Sequence, residues 1–244
     1  MPKLSFAGPT TGNVFLDAMP SAAFAALRPS LERVHLERGH QVYAAGAIID
    51  TVFFPIDSII SVVADMSDGK TAEIGLVGRE GMSGYAIVLD QARSVHRCTV
   101  QVPDSAESIP IDNFRSALES VPELAAYCLR YTQATIVTIA QSAGCNSLHT
   151  IDQRCARWLL MAHDRVAEDL VLLTQDLLSQ MLGVRRAGVT LAASALQESG
   201  FISYTRGQIV VLDRKGLESA SCECYEAAER AWKTIMGYSI SKTK

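Results

Sequence analysis

The sequence predicts an α+β fold: an N-terminal antiparallel β-roll of jelly-roll type, one long helix, and a C-terminal helix-turn-helix carrying a two-stranded wing. Three observations carry that expectation. Short β-rich runs separated by turn residues crowd the stretch from Val34 to about Ile111, a spacing that favours a small antiparallel roll or barrel. The stretch from Glu123 to Asn146 then keeps a helical period with only Glu123 and Arg130 charged. Residues 174–212 read as two helices about Gly183 followed by two short strands.

Taken in chain order, Leu16 to Leu31 reads as a helical lead-in. Strands are expected at Gln41 to Ala44, Thr51 to Phe54, Ser58 to Ala64, Thr71 to Val77, Arg97 to Val102 and Ala106 to Ile109. Asp68-Gly69 marks a hairpin, because Gly supplies the positive φ of a tight turn. Asp112 is the expected N-cap of a short helix to Ser120, and Pro122 suits the first turn of the next. That next helix has roughly six to seven turns and almost no charge, so it must be covered on two sides, by its own roll and by a partner. Gln133, Gln141 and Asn146 argue against a bilayer span. Leu124, Cys128, Tyr131, Thr135, Thr138, Ser142 and Cys145 form a near-heptad stripe suited to self-association. A central helix of a monomeric core is the alternative. Thr150 or Asp152 opens a further helix with Cys155, Trp158, Leu159 and Ala162 on its apolar side, and an acidic loop runs from Asp164 to Asp169.

At 244 residues the chain is long enough for two domains, each with its own core. Hydrophobic residues make up 48% and charged residues 20%, which excludes a disordered, fibrous or low-complexity chain. No signal-peptide pattern or long apolar span is evident, so the expected location is the cytoplasm and no membrane partner is expected. Six cysteines in a chain of this length are too sparse for a disulfide scaffold and are expected as thiols. The net charge of −4 is unevenly spread. Residues 1–150 hold 10 basic against 15 acidic residues, a balance of −5, whereas residues 151–244 hold 12 against 11, a balance of +1. The acidic total thus belongs to the first part and leaves nucleic-acid binding open to the second.

Thr174 is the expected N-cap of a helix over Gln175 to Leu182, Gly183 stops it, and Arg185 to Ser199 forms the next, ended by Gly200. A helix-turn-helix needs a small residue where its helices cross, a residue tolerant of positive φ in the turn, and a branched apolar residue inside the second helix. Ser179, Gly183 and Val189 supply these. Phe201 to Tyr204 and Gln208 to Leu212 then read as wing strands around Thr205-Arg206-Gly207. The candidate DNA-contacting residues are Thr174, Arg185, Arg186, Gly188, Thr190 and Arg206: the arginine pair opens the second helix and Arg206 tips the wing near a phosphate backbone. Gly188 inside a helix costs about 1 kcal/mol relative to Ala. Close approach to DNA or tight helix packing would each offset that cost.

With "DQRCARWLLMA" at 152–162, "LTQDLLSQMLGVRRAGVTLAASALQESGFI" at 173–202 and the wing, the chain resembles the Crp/Fnr family of bacterial transcription regulators. The resemblance implies a cyclic-nucleotide-binding-like sensor roll over 1–122, a dimerisation helix over 123–148, a winged DNA-binding domain over 149–215 and a C-terminal helical extension over 216–244. It implies a homodimer on a palindromic promoter, with double-stranded DNA and RNA polymerase as partners and no enzyme activity. By position, the family's guanine-reading arginine falls on Arg186, while Ala187 stands in place of a glutamate and Leu191 in place of a second arginine. A different target sequence follows.

The sensor half matches cyclic-nucleotide binders poorly. The corresponding stretches are Gly78 to Gly84 and Arg93 to Arg97, with Ile139 and Ala140 in place of the polar residues that meet the base. Arg79, Glu80, Ser83, His96 and Arg97 are the candidate effector contacts, and the effector is expected not to be cyclic AMP. No cofactor and no metal site is assigned. An iron-sulfur sensor needs clustered cysteines near the N-terminus, and none precedes Cys98. Cys222 and Cys224 would point about 200° apart on a helix, so buried or idle thiols are expected, with an irregular backbone as the condition for shared metal ligation. Two other functions stay open: a metal or redox sensing regulator using Cys222 and Cys224, and a ligand-binding or protein-interaction module without DNA recognition. The segment after Lys215, with Leu217, Tyr225 and Trp232, is expected to form a terminal helix without an assigned role.

Overall fold

The computed structural model describes residues 10–242. The chain forms two compact units, one of residues 1–61 and 76–134 and the other of 62–75 and 135–244.

The helical lead-in of the first unit is broken into α1 (Val14–Asp17), α2 (Ser21–Leu27) and a 3-10 turn (Arg28–Ser30). Pro20 separates the two helices as N-cap of the second. The strands of the roll are β1 (Glu32–Leu36), β2 (Gln41–Tyr43), β3 (Thr51–Pro55), β4 (Ile59–Asp65), β5 (Thr71–Val77), β6 (Arg97–Val102) and β7 (Asp104–Pro110). They make an antiparallel sheet β1-β7-β3 and a four-stranded sheet β2-β6-β4-β5. Strand β1 is not among the expected strands, because its exposed, charged pattern hides the period of a half-buried strand. The register of the first sheet sets Val52 opposite Ile109, both wholly buried. Gly69, at φ 82°, turns the β4–β5 hairpin as expected.

The core of the first unit is aromatic. Phe15 lies 4.8 Å from Tyr127 and 5.0 Å from Tyr131 between ring centroids, and Phe54 lies 6.3 Å from Phe114. Tyr127 and Tyr131 come from α4 (Pro122–Leu148), and Phe114 from α3 (Ile111–Ser120). Pro110, not Asp112, is the N-cap of α3: the strand runs directly into the helix, which leaves Asp112 in the first turn, where its charge suits the helix dipole.

The expected self-association stripe on α4 is not free. Leu124, Cys128, Tyr131 and Cys145 are buried within the chain. Among the exposed positions, Ala126, Leu129, Gln133, Ile136, Ala140, Ala143 and Ser147 form a second heptad stripe offset from the first. Leu129 and Ile136 expose 50% and 57% of their surface.

In the second unit α5 (Ile151–His163) is central. Thr150 caps it in a capping box with Gln153. Trp158 is buried, and its indole N–H donates to Glu73 Oε1 at 2.8 Å. Around α5 stand β8 (Leu170–Leu172), α6 (Gln175–Leu182), α7 (Arg186–Glu198), β9 (Ile202–Thr205), β10 (Gln208–Val211), α8 (Arg214–Ala220) and α9 (Cys224–Met236). Strand β8 is also unexpected; its three residues are too few to show a period. It completes a sheet β8-β10-β9. The terminal segment is two helices instead of one, and the boundary expected at 215 falls inside α8. A buried polar network joins these pieces: Arg214 pairs with Asp164 at 2.7 Å and donates to Tyr225 OH and to His163 Nδ1.

Candidate nucleic-acid interface

The turn between α6 and α7 forms for the reason the sequence suggests. Thr174 Oγ1 accepts the Leu177 N–H at 3.2 Å and so starts α6. Gly183, at φ 63°, closes it in the left-handed conformation, its N–H directed at the Gln180 and Ser179 carbonyls. Val189 is fully buried beneath the turn with Leu178. Arg154, buried on α5, donates to the Leu182 carbonyl and so satisfies the C-terminal end of α6.

Helix α7 begins at Arg186, one residue later than expected, with Arg185 in extended conformation as N-cap. No side chain caps that end and its first turn holds no acid. Both arginines are exposed, Arg186 with 63% of its side chain in solvent and an equally exposed ion pair to Asp176 at 3.1 Å. Thr190 Oγ1 donates to Gln175 Oε1 at 3.0 Å and stays partly accessible on the same face. Ala187, Leu191 and Ser194 are exposed beside it, Leu191 by 72%. Successive spacings of three and four residues place Ala187, Thr190, Leu191 and Ser194 on one helix face, with Arg186 at its leading edge.

The wing is a two-residue hairpin. Thr205 faces Gln208 in register, and Arg206 and Gly207 carry φ of 48° and 82°. Both central residues at positive φ match the type I′ turn that fits twisted strands. Arg206 is exposed at its tip, and the Gly207 carbonyl accepts the Leu173 N–H at 2.8 Å, which fixes the wing beside the start of α6.

Gly188 packs against α5. A Cβ there would stand 3.2 Å from Ile151 Cδ1, so close packing of α7 on α5 is the reason the structure supplies for glycine.

On the sensor side, Glu80 and Ser83 are buried, whereas Arg79, His96 and Arg97 are half-buried. Ser83 has a fold-holding role: its hydroxyl meets Tyr43 OH at 2.8 Å and accepts the Phe53 N–H at 2.9 Å. Its hydroxyl is thus engaged within the fold, and the residue is 2% exposed. Glu80 Oε1 accepts the Gly78 N–H at 3.3 Å, and Arg97 donates to Thr99 Oγ1 at 3.2 Å. The thiols of Cys98, Cys128 and Cys155 are inert by burial, which pushes them up to about 11, 12 and 12.

Residues 153–220 match the family described as the Crp-like helix-turn-helix domain. That match assigns the segment: residues 153–220 form a Crp-like helix-turn-helix domain. A "CRP-like cAMP-activated global transcriptional regulator" of Mycobacterium tuberculosis is 24% identical over 214 residues, covering 84% of this chain and 94% of its own. Among solved structures, FixK2 from Bradyrhizobium japonicum superposes with a TM-score of 0.65 at 14% identity, over 79% of this chain and 98% of that one. A putative Crp/Fnr regulator from Eubacterium rectale gives 0.65 at 14% identity, over 86% and 99%. At such identities the structural likeness concerns the fold. Among the described residues no helix is long and apolar enough to cross a membrane.

Two features of this chain escaped sequence reasoning. The exposed α4 stripe overlaps a buried stripe of the same period, so spacing alone selects neither. The Asp176–Arg186 pair joins residues ten positions apart on two helices, and only the α6–α7 crossing brings them together.

Proposed function

We propose that the protein is a homodimeric, sequence-specific DNA-binding regulator that reads an inverted-repeat promoter site and acts on transcription through RNA polymerase, without catalysis of its own. The observation that carries the reading is the exposed Arg185–Arg186 pair at an uncapped, acid-free N-terminal end of α7. Such an end favours anions, and a guanidinium at its leading edge can meet both oxygen and N7 of a guanine. Arg206 on the rigid wing supplies a phosphate contact to one side. Ala187 and Leu191, exposed and apolar, suit thymine methyl groups and support a target distinct from one read by a glutamate and a second arginine.

The exposed stripe of α4 through Leu129 and Ile136 is the dimer surface in this reading. Residues 1–122 form the sensor, 123–148 the dimerisation helix, 149–215 the DNA-binding domain and 216–244 a helical extension. The effector is not cyclic AMP: Ile139 and Ala140 offer no polar group to a base, and Ser83 is occupied. Arg79, Glu80, His96 and Arg97 remain the effector candidates. Location in the cytoplasm accords with this role.

Selection of bound duplexes from a random pool tests the reading. Enrichment of an inverted repeat, with half-site centres about one helical turn or a multiple of it (~34 Å) apart, is expected. Failure to enrich any sequence, or enrichment of single half-sites only, would overturn it.

A further inference from the structure

We propose that Cys145, His149, Cys222 and Cys224 bind one zinc ion in a tetrahedral site with three sulfur ligands and one nitrogen. This site lies wholly within the second unit and is independent of DNA reading.

The four ligand atoms lie within 4.8 Å of one another. Cys145 Sγ stands 3.5 Å from Cys222 Sγ, and Cys224 Sγ stands 3.7 Å from His149 Nδ1. A tetrahedron with zinc–sulfur bonds of about 2.3 Å and a zinc–nitrogen bond of about 2.0 Å has edges of roughly 3.5–3.8 Å. Two of the six separations therefore already match such a tetrahedron, and all six lie within 4.8 Å. At 3.5 Å the two sulfurs are too far apart for a disulfide, whose bond is about 2.05 Å.

The backbone explains how they meet. Cys145 is in the last turn of α4 and His149 follows directly after it, its N–H still bonded to the Cys145 carbonyl at 3.1 Å, which brings the two to one side. Cys222 lies in the irregular link after α8, and Cys224 is the first residue of α9. The objection that two thiols at this spacing diverge on a helix is removed, because the pair does not share one. The three cysteines are buried and the histidine half-buried.

The surroundings fit a metal better than idle thiols. His149 Nε2 stands 3.2 Å from Glu223 Oε1, a carboxylate partner that leaves Nδ1 as the lone-pair face toward the sulfurs. The Gln141 side-chain N–H donates to Cys224 Sγ at 3.0 Å, as expected for a thiolate acceptor. Arg157 is 5% exposed and donates through its terminal nitrogens to Ser142 Oγ and Met161 Sδ, with no ion pair among the described residues. A buried guanidinium without a counter-ion is costly. Three thiolates, a neutral imidazole and Zn²⁺ sum to −1, which supplies the missing charge. Burial pushes the Cys145 thiol up to about 12, and the nearby Arg157 charge works the other way; zinc binding displaces that proton to solvent.

The donor set selects the ion. Three sulfurs exclude magnesium and calcium, which require oxygen, and four ligands closing on a single point leave no room for a cluster of several irons. A closed four-ligand shell holds no position for water and makes the site structural, tying the end of α4 to the α8–α9 link.

Metal analysis of the full chain, purified under reducing conditions from zinc-supplemented cells, tests the proposal. About one zinc per chain is expected for the wild type and for Cys98→Ser, a control thiol in the other unit. In Cys145→Ser/Cys224→Ser the content should fall at least about tenfold. Cobalt added to metal-stripped wild type should give the strong visible absorption of tetrahedral cobalt–thiolate, which needs no variant to fold. A reduced wild type with neither zinc nor that spectrum would overturn the proposal, as would full zinc retention in the double variant or a Cys145–Cys222 disulfide in its place.

Discussion

Arg186→Ala separates the two things an exposed arginine can do. In the free protein it pairs with Asp176, and both side chains expose 63% of their surface. Such pairs contribute about 0–1 kcal/mol, so the variant should unfold within a few degrees of the wild type. In the proposed complex the same guanidinium reads a guanine, and losing a bidentate contact would remove about 1–3 kcal/mol of discrimination per half-site, or about 5- to 150-fold. A symmetric dimer makes the contact twice, so discrimination at a full inverted repeat should drop by about 2–6 kcal/mol if the half-sites act independently. Fluorescence anisotropy with selected and scrambled duplexes at one fixed salt concentration measures the ratio directly, and a thermal melt measures stability. The expected pattern is a collapsed ratio with an almost unchanged melt. If the variant still prefers the selected duplex by the wild-type factor, Arg186 does not read a base. A uniform loss on both duplexes would make it a phosphate contact.

Gly81→Ala should be severe in the first unit. A Cβ there would overlap Tyr131 Oη and lie 2.6 Å from its Cε2, and that ring is buried and held by hydrogen bonds to Met82. A cost of about 1–3 kcal/mol or more, read by chemical denaturation, is expected; wild-type stability would refute the packing. Ile136→Glu places a charge in the exposed α4 stripe and should convert dimer to monomer by light scattering, with the monomer still folded. A dimer that persists would place the contact elsewhere. His163 is held below its usual value near 6.5, first by burial, with Lys242 and Arg214 adding to it and the Asp169 hydrogen bond opposing. Between the folded and unfolded values only the unfolded chain takes the proton, so stability is full above about 6.5, declines as pH falls below it and levels off once the folded value is passed. His163→Gln should flatten that decline in melts between about pH 7 and 5, and an unchanged slope would refute the assignment.

The legible parts of the fold were those with local causes. Thr174, Gly183 and the Arg206-Gly207 turn each have a short-range reason, a cap, a left-handed stop and a paired positive φ, and each stands where its chemistry required. Strand limits in the roll moved by only a residue or two, because alternating burial is itself local. What could not be read depended on which partner a residue meets. Gly188 had two equal explanations until Ile151 stood against it. Ser83 looked like a ligand contact until Tyr43 and Phe53, 40 and 30 residues away, were seen to use its hydroxyl.

The long helix shows the same limit in its sharpest form. Its low charge predicts two covered faces, but two heptad stripes run side by side along it, one buried and one exposed. One passes through Leu124, Cys128, Tyr131 and Cys145, the other through Leu129, Gln133, Ile136 and Ala140. Periodicity gives a spacing and no sign, so it cannot say which stripe faces inward. The decision lies in bulk and polar reach: Tyr127 and Tyr131 fill the space beside Phe15 and bond the Phe15 and Met82 carbonyls, which only the inward stripe can do. Ala126, Leu129, Gln133, Ile136, Ala140 and Ala143 are then left outside. Aromatic residues with a hydroxyl therefore mark the face toward the chain's own core here, and the exposed stripe beside them is the face that the proposed dimer would use.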